Sequence, residues 1–308
     1  FLLVVADDPG PHSSQTEQDS RHFAMFAKVP CFDPSSAAEA REMVFDAFDL
    51  SERFHVTAML RPSVRVDHCR QDVELGEIRP LKGEVKFEKD PSRWVCLPAK
   101  VRVNHPKLNA KLEEIRAAFE TEFGKYNYEV PAKKESVLGI VASGVSFSIV
   151  SDILKSLGRE DVAVLKIGTP HPLPVKMVTD FIEKHPRVLF LEETYPVMEM
   201  QIPDRTKIMG RWNGVVPSAG ELLPEVVAGI LADILGIGSP SGADSMLKET
   251  LEELRITPRK PMLCPGCPHR ASFFSIRQAL PNAVNPSDIG CYSLGVNQKA
   301  VDAIIDMG

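Results

Sequence analysis

Three cysteines are the residues of this chain best equipped for chemistry. Cys264 and Cys267 lie in Cys264-Pro265-Gly266-Cys267-Pro268-His269, and Cys291 lies in Ser287-Asp288-Ile289-Gly290-Cys291-Tyr292. A Cys-x-x-Cys on a Pro-Gly turn points two sulfurs at one centre, and the third cysteine follows after a helix-length interval that can return the chain to the same edge. This reads as a metal or cluster site lacking one ligand. His269 would close a Cys₃His zinc site, and the plainer alternative is a set of thiols beside a turn.

A second constellation sits near the start, in Asp7-Asp8-Pro9-Gly10-Pro11-His12-Ser13-Ser14-Gln15-Thr16-Glu17-Gln18-Asp19-Ser20-Arg21. It follows an apolar run directly, and the loop after a parallel strand is where α/β folds bind ligands. Its mixture of amides, hydroxyls, a His and an Arg suits orientation of a polar substrate. The alternative is a solvated loop whose Asp and Ser cap the next helix.

The elements that must position these residues alternate between strand and helix. Residues 1–6, 27–32 and 56–60 read as strands around a helix over 35–53. Residues 137–142, 162–167 and 188–191 read as strands separated by helices over 148–157 and 175–183, and a further helix covers 221–235. Alternation of this kind predicts an α/β fold with parallel sheets and right-handed crossovers. From 67 to 135 the pattern weakens amid Pro80, Pro91, Pro98 and Pro106, with one helix over 108–123. Residues 236–243 form a Gly/Ser/Pro linker.

Composition bounds the rest. With 308 residues, 44% hydrophobic and 25% charged, the chain can bury a full core and is expected to hold more than one domain. Six irregularly spaced cysteines suit a reducing cytoplasm rather than a disulfide framework. A net charge of −6 without a basic arm argues against a nucleic-acid surface, and no apolar stretch is long enough to span a bilayer. Phe1 opens inside an apolar run with no Met or basic segment before it, so the chain reads as an internal piece of a longer protein.

The loop 7–21, the cysteine turn 264–269 and Ser287-Asp288-Ile289-Gly290-Cys291-Tyr292-Ser293-Leu294-Gly295 together resemble the thiamine diphosphate-dependent 2-oxoacid:ferredoxin oxidoreductases. Val141-Ala142-Ser143-Gly144, Lys166-Ile167-Gly168-Thr169, Pro172-Leu173-Pro174 and Glu192-Glu193 agree with this, so the resemblance spans the chain. It implies an α/β thiamine diphosphate-binding fold with a transketolase C-terminal-like domain. Residues 1–66 would be the C-terminal part of the pyrimidine-binding domain, 67–135 a connecting segment, and 136–235 the transketolase C-terminal-like domain. A linker over 236–261 would lead to the start of the diphosphate-binding domain at 262–308.

The resemblance further implies oxidative decarboxylation of an aryl 2-oxo acid, with capture by coenzyme A and electrons passed to ferredoxin; pyruvate and 2-oxoglutarate are the alternative substrates. It implies thiamine diphosphate, Mg²⁺ and four-iron, four-sulfur clusters as cofactors, and a smaller β subunit in a heterotetramer. By the same resemblance Cys264, Cys267 and Cys291 would ligate a cluster, while His269, Asp288, Ile289 and Gly290 would lie against the diphosphate and thiazolium. Ser13, Ser14 and Gln18 would contact the cofactor. A 2-oxo carboxylate calls for a planar fork donor, for which Arg21 ranks ahead of Arg61, with Gln15, Gln18 and His12 hydrogen-bonding the carbonyl or the cofactor amine; the plainer reading of either arginine is a surface residue or a salt-bridge partner to Asp19 or Glu17. The reading from another class is a zinc-stabilised interaction module without catalysis, which leaves the ordered loop 7–21 without a purpose.

Overall fold

The computed structural model describes residues 1–12, 14–78, 87, 89–238, 245–254 and 260–304. They fall into two compact units, Phe1–Pro240 and Ser241–Gly308.

The first unit opens with β1 (Leu2–Val4), α1 (Arg21–Ala27), β2 (Cys31–Phe32), α2 (Ala37–Phe54), β3 (Ala58–Leu60) and α3 (Val64–Asp67). The strands form a parallel sheet in the order β1-β3-β2. Helix α2 starts where the sequence predicts. The Ser36 hydroxyl accepts from the Glu39 N–H, and Glu39 reaches back to the Ser35 N–H at 2.7 Å. Its Met43, Ala47, Leu50 and Phe54 recur at helical spacing and are buried against Phe32, Ile115 and Phe119.

Two further helices, α4 (Pro91–Trp94) and α5 (Pro98–Thr121), precede the second sheet. Helix α5 begins ten residues before its expected start because it runs through Pro106. That proline removes a backbone donor and costs about 3 kcal/mol in a helix interior. Here the turn carrying it is exposed, so water can serve the freed Arg102 carbonyl.

The second sheet contains β4 (Asn127–Val130), β5 (Leu138–Ala142), β6 (Val162–Ile167), β7 (Val188–Leu191) and β8 (Ile208–Met209), in the order β4-β6-β5-β7-β8. Only β4 runs antiparallel to its neighbour. Between the strands lie α6 (Gly144–Ser156) and α7 (Val175–Lys184), and α8 (Pro224–Leu235) follows. Leu138, Ile140, Leu189 and Leu191 face one core with Val227 and Leu231 of α8. The intervening Val141, Leu165 and Phe190 face another with Val178 and Phe181 of α7. Cover on both faces is why β5 to β7 read as continuous apolar runs rather than alternating ones.

The second unit contains α9 (Ser245–Glu253), α10 (Pro268–Ala279) and a parallel pair, β9 (Pro286–Ser287) with β10 (Ala303–Ile304). Leu263, Phe273, Ala300 and Val301 form its small core. Among the described residues no helix is long and apolar enough to cross a membrane.

Candidate functional site

The loops leaving the carboxyl ends of both sheets in the first unit meet one another. Asp7 follows β1, Asp33 follows β2, Arg61 follows β3, Ser143 and Gly144 follow β5, and Glu192 follows β7. Asp7 closes the loop: one carboxylate oxygen accepts from the Ser20 N–H at 2.7 Å and from Arg61 Nε at 2.6 Å, and the other accepts from the Ser20 hydroxyl. Asp19 then joins the loop to the second sheet, accepting from Arg21 Nε at 2.8 Å and from the Thr194 and Tyr195 N–H groups at 2.9 and 3.0 Å.

Arg21, expected as the fork for a substrate carboxylate, is 0% exposed. Its guanidinium donates to Asp19, to Glu192 at 2.9 Å and to the Tyr195 carbonyl, so the chain's own acceptors occupy the fork. A guanidinium removed from water must be paired in this way. Arg61 is likewise buried between Asp7 and Asp33 and reaches the Glu193 carbonyl. Gly144 starts α6 at φ +52°, where a Cβ would lie 2.7 Å from an Asp33 carboxylate oxygen, so both conformation and space call for glycine.

Seven buried carboxyl groups (Asp7, Asp8, Asp19, Asp33, Glu192, Glu193 and Glu199) stand against three buried guanidiniums (Arg21, Arg61 and Arg211) among the described residues. Environment separates their proton affinities. Burial alone would raise Asp19, but the charge and hydrogen bonds of Arg21 overcome it and hold the carboxyl well below the usual range. Burial pushes Glu192 up to about 7, against the opposing pull of Arg21 and two backbone N–H groups. Burial also raises Asp33 and Glu193.

The remaining loop residues are more open. His12 Nε2 lies 2.7 Å from Glu221 and 3.1 Å from Arg65, which itself grips Glu221 with two donors. The Ser14 N–H donates to Asp8 at 2.9 Å, Gln15 is exposed, and the Gln18 carbonyl accepts from the Thr194 hydroxyl. Ser13 lies outside the described residues. The structure therefore gathers His12 with Arg65 and Glu221, and Arg21 with Asp19 and Glu192. Sequence reasoning named Asp19 as the alternative partner of Arg21, which the structure bears out, but gave Glu192 no role and passed over Asp33, an acid beside a strand end.

In the second unit the cysteine turn forms as expected, with the Cys267 N–H donating to the Cys264 carbonyl and Gly266 at φ +74°. Cys264 and Cys291 are exposed and Cys267 is half-buried. Cys267 Sγ lies 3.2 Å from His269 Nδ1, and the His269 ring packs edge-on against Tyr292. Among the described residues no three His, Cys, Asp or Glu side chains converge on a metal position, so the thiols as arranged do not fit a cluster. A cleft of about 590 Å³ opens beside His269, with Phe273 and Ile276 on its apolar side and Asn285, Ser287 and Asp288 among its polar groups. Its mixture of apolar and polar lining fits the ring and phosphate parts of thiamine diphosphate. Ile289 and Gly290 (φ +76°) form the turn directly after Asp288.

No protein-family profile matches the chain. The indolepyruvate oxidoreductase subunit IorA of Thermococcus kodakarensis is 41% identical over 325 aligned positions, which cover 100% of this chain and 49% of that protein. The subunit IorA of Archaeoglobus fulgidus is 37% identical, covering 100% of this chain and 50% of its own length. The chain thus spans about half the length of the curated relatives it matches. Among solved structures, the 2-oxoglutarate:ferredoxin oxidoreductase of Magnetococcus marinus superposes with a TM-score of 0.53 at 13% identity, over 76% of this chain and 48% of that one. That likeness supports the α/β fold with its parallel sheets. Over its whole length the chain is similar to the indolepyruvate oxidoreductase subunit IorA, of which it spans about half.

Proposed function

We propose that this chain is the cofactor-binding part of an oxidoreductase subunit that decarboxylates an aryl 2-oxo acid of the indolepyruvate type. The observation that carries the reading is the match of the whole chain to IorA subunits at up to 41% identity. In this reading coenzyme A takes the acyl group and ferredoxin takes the electrons. The enzyme is a cytoplasmic heterotetramer with a smaller β subunit, and Mg²⁺ accompanies the cofactor.

Bound thiamine diphosphate would supply the electron sink for the charge left by decarboxylation. The residues of this chain bind and orient. In the second unit His269, Asp288, Ile289 and Gly290 would lie against the diphosphate and thiazolium. In the first unit Ser14 and Gln18 would offer polar contacts to a cofactor, and Gln15 and His12 to a substrate carbonyl. Arg21 contributes from within, because its pairing with Asp19 and Glu192 fixes the loop that presents those groups. Cys264, Cys267 and Cys291 do not converge as arranged, so the reading assigns them no cluster and routes no step through one.

The test is to co-express the full-length subunit with its smaller partner and assay reduction of ferredoxin. Indolepyruvate should support turnover that requires thiamine diphosphate, Mg²⁺ and coenzyme A, and should outpace pyruvate and 2-oxoglutarate. Turnover without thiamine diphosphate, or preference for either small 2-oxo acid, would overturn the assignment.

A further inference from the structure

A 2-oxo acid brings a carboxylate, and the two arginines expected to receive it are already filled. Arg21 is enclosed by Asp19 and Glu192, and Arg61 by Asp7 and Asp33. A third arginine at the same end of the first sheet differs from both. Arg65 lies on α3, shortly after β3, and its side chain is 46% exposed. The Val64 N–H donates to the Asp7 carbonyl at 2.8 Å, which ties α3 to the loop after β1. Arg65 therefore stands beside the loop rather than beneath it.

The guanidinium of Arg65 is held from one side. Its Nε and Nη2 donate to the two carboxylate oxygens of Glu221, whose side chain is only 6% exposed, so a buried anchor fixes the plane of the fork. His12 Nε2 stands 2.7 Å from the same carboxylate and 3.1 Å from Arg65 Nη2. The trio depends on Gly10, where a Cβ would lie 2.8 Å from the Glu221 Cβ and 3.3 Å from His12 Nε2. Among the described residues Arg65 Nη1 has no acceptor.

A cleft of about 570 Å³ adjoins the trio, lined by His12, Val64, Arg65, His68 and Cys69. Its size is that of a small-molecule site. Its charge suits a single negative group. Glu221 offsets Arg65, which leaves His12 and His68 as the further cationic side chains, too little for a diphosphate but enough for one carboxylate against the open edge of a planar fork.

We propose that Arg65 binds the carboxylate of the 2-oxo acid in this cleft, with Glu221 and Gly10 as the positioning residues behind it. The proposal rests on the functional reading above for the class of substrate.

The test compares an acid with its ketone on the full-length chain, without thiamine diphosphate so that no chemistry follows binding. Indolepyruvate and indolylacetone, which lacks the carboxylate, are titrated calorimetrically into the wild type, Arg65→Lys and Arg65→Gln. The wild type should bind the acid roughly tenfold or more tightly than the ketone, because hydrogen bonds between charged groups are at stake. In both variants that preference should vanish while affinity for the ketone holds. Lysine keeps a charge beside Glu221 but not the fork, so Arg65→Lys separates the loss of recognition from the loss of an ion pair. A preference for the acid that survives in both variants would overturn the proposal, and so would ketone binding lost in step with acid binding. Inorganic phosphate should not displace the acid; displacement that disappears in Arg65→Lys would reassign the cleft to a phosphate group and overturn it too. The functional reading fails separately: wild-type binding of pyruvate or 2-oxoglutarate ahead of indolepyruvate, still dependent on Arg65, would sink that substrate and leave Arg65 standing.

Discussion

The loop between β1 and α1 and the turn before α10 carry the two polar constellations of this chain, and they occupy opposite environments. The loop is packed between two sheets, with Arg21 and Arg61 enclosed by carboxylates. The turn stands at the surface, with two of its three associated thiols exposed. A buried charge must be paired, so the loop's strongest ionic groups hold one another, whereas exposed thiols have no such requirement. Residue type alone therefore overstates how many polar groups of a loop remain for a ligand. In the first constellation the polar side chains of His12, Gln15 and Thr16 stay exposed, and His12 is already held by Glu221.

The contrast can be broken most decisively at Arg21. Arg21→Met leaves Asp19 and Glu192 buried without their cation and should cost about 3–5 kcal/mol of unfolding free energy. Chemical denaturation would read this, and a loss below about 1 kcal/mol would mean that the cluster is not what joins the sheets. Gly144→Ala probes the same joint from α6. The positive φ and the close Asp33 carboxylate should make it destabilising by about 1–3 kcal/mol, where an ordinary helix Gly→Ala change stabilises.

Acidity and alkalinity should act on the cluster in opposite senses. Asp19 has a depressed folded pKa, so its contribution is present above the unfolded value and is lost as pH falls towards the folded one. Glu192 is raised from 4.5 to about 7, so the folded state binds the extra proton between those values. Stability attributable to Glu192 should then decline as pH rises from 4.5 through about 7, with a slope of at most about 1.4 kcal/mol per pH unit. Denaturant melts across that window test the sign, and a rise traceable to Glu192 would refute it.

The smallest effect is expected on the other side of the comparison. Cys267→Ser should change the stability of the metal-free chain by less than about 0.5 kcal/mol, since the thiol is half-exposed and its close partner is His269. A loss of several kcal/mol would show that the turn is as tightly built as the loop.

Much of the fold was legible because its signals are local. The apolar runs at 162–167 and 188–191 are strands with those bounds, and the helices over 35–53 and 175–183 match α2 and α7 within a residue or two. Less local features escaped. Helix α1, seven residues long and directly after the polar loop, is too short to show a helical period, and β4 is a strand only through its pairing with β6, which sets Tyr128 opposite Lys166. The first half of α5 looked broken by Pro106 because nothing in the sequence announces that the turn is exposed.

By itself the sequence determined the alternation of strands and helices, the parallel α/β class and the family resemblance, since periodicity and motif order are properties of the chain read in one direction. Only the tertiary structure decided the fate of the polar residues. Whether Arg21 meets a ligand or Glu192 depends on residues 171 positions apart converging, and whether Cys264, Cys267 and Cys291 meet depends on how α10 and the turn after Asp288 return the chain. Pairing of charges is set by distance and burial, which no local pattern of residue types encodes.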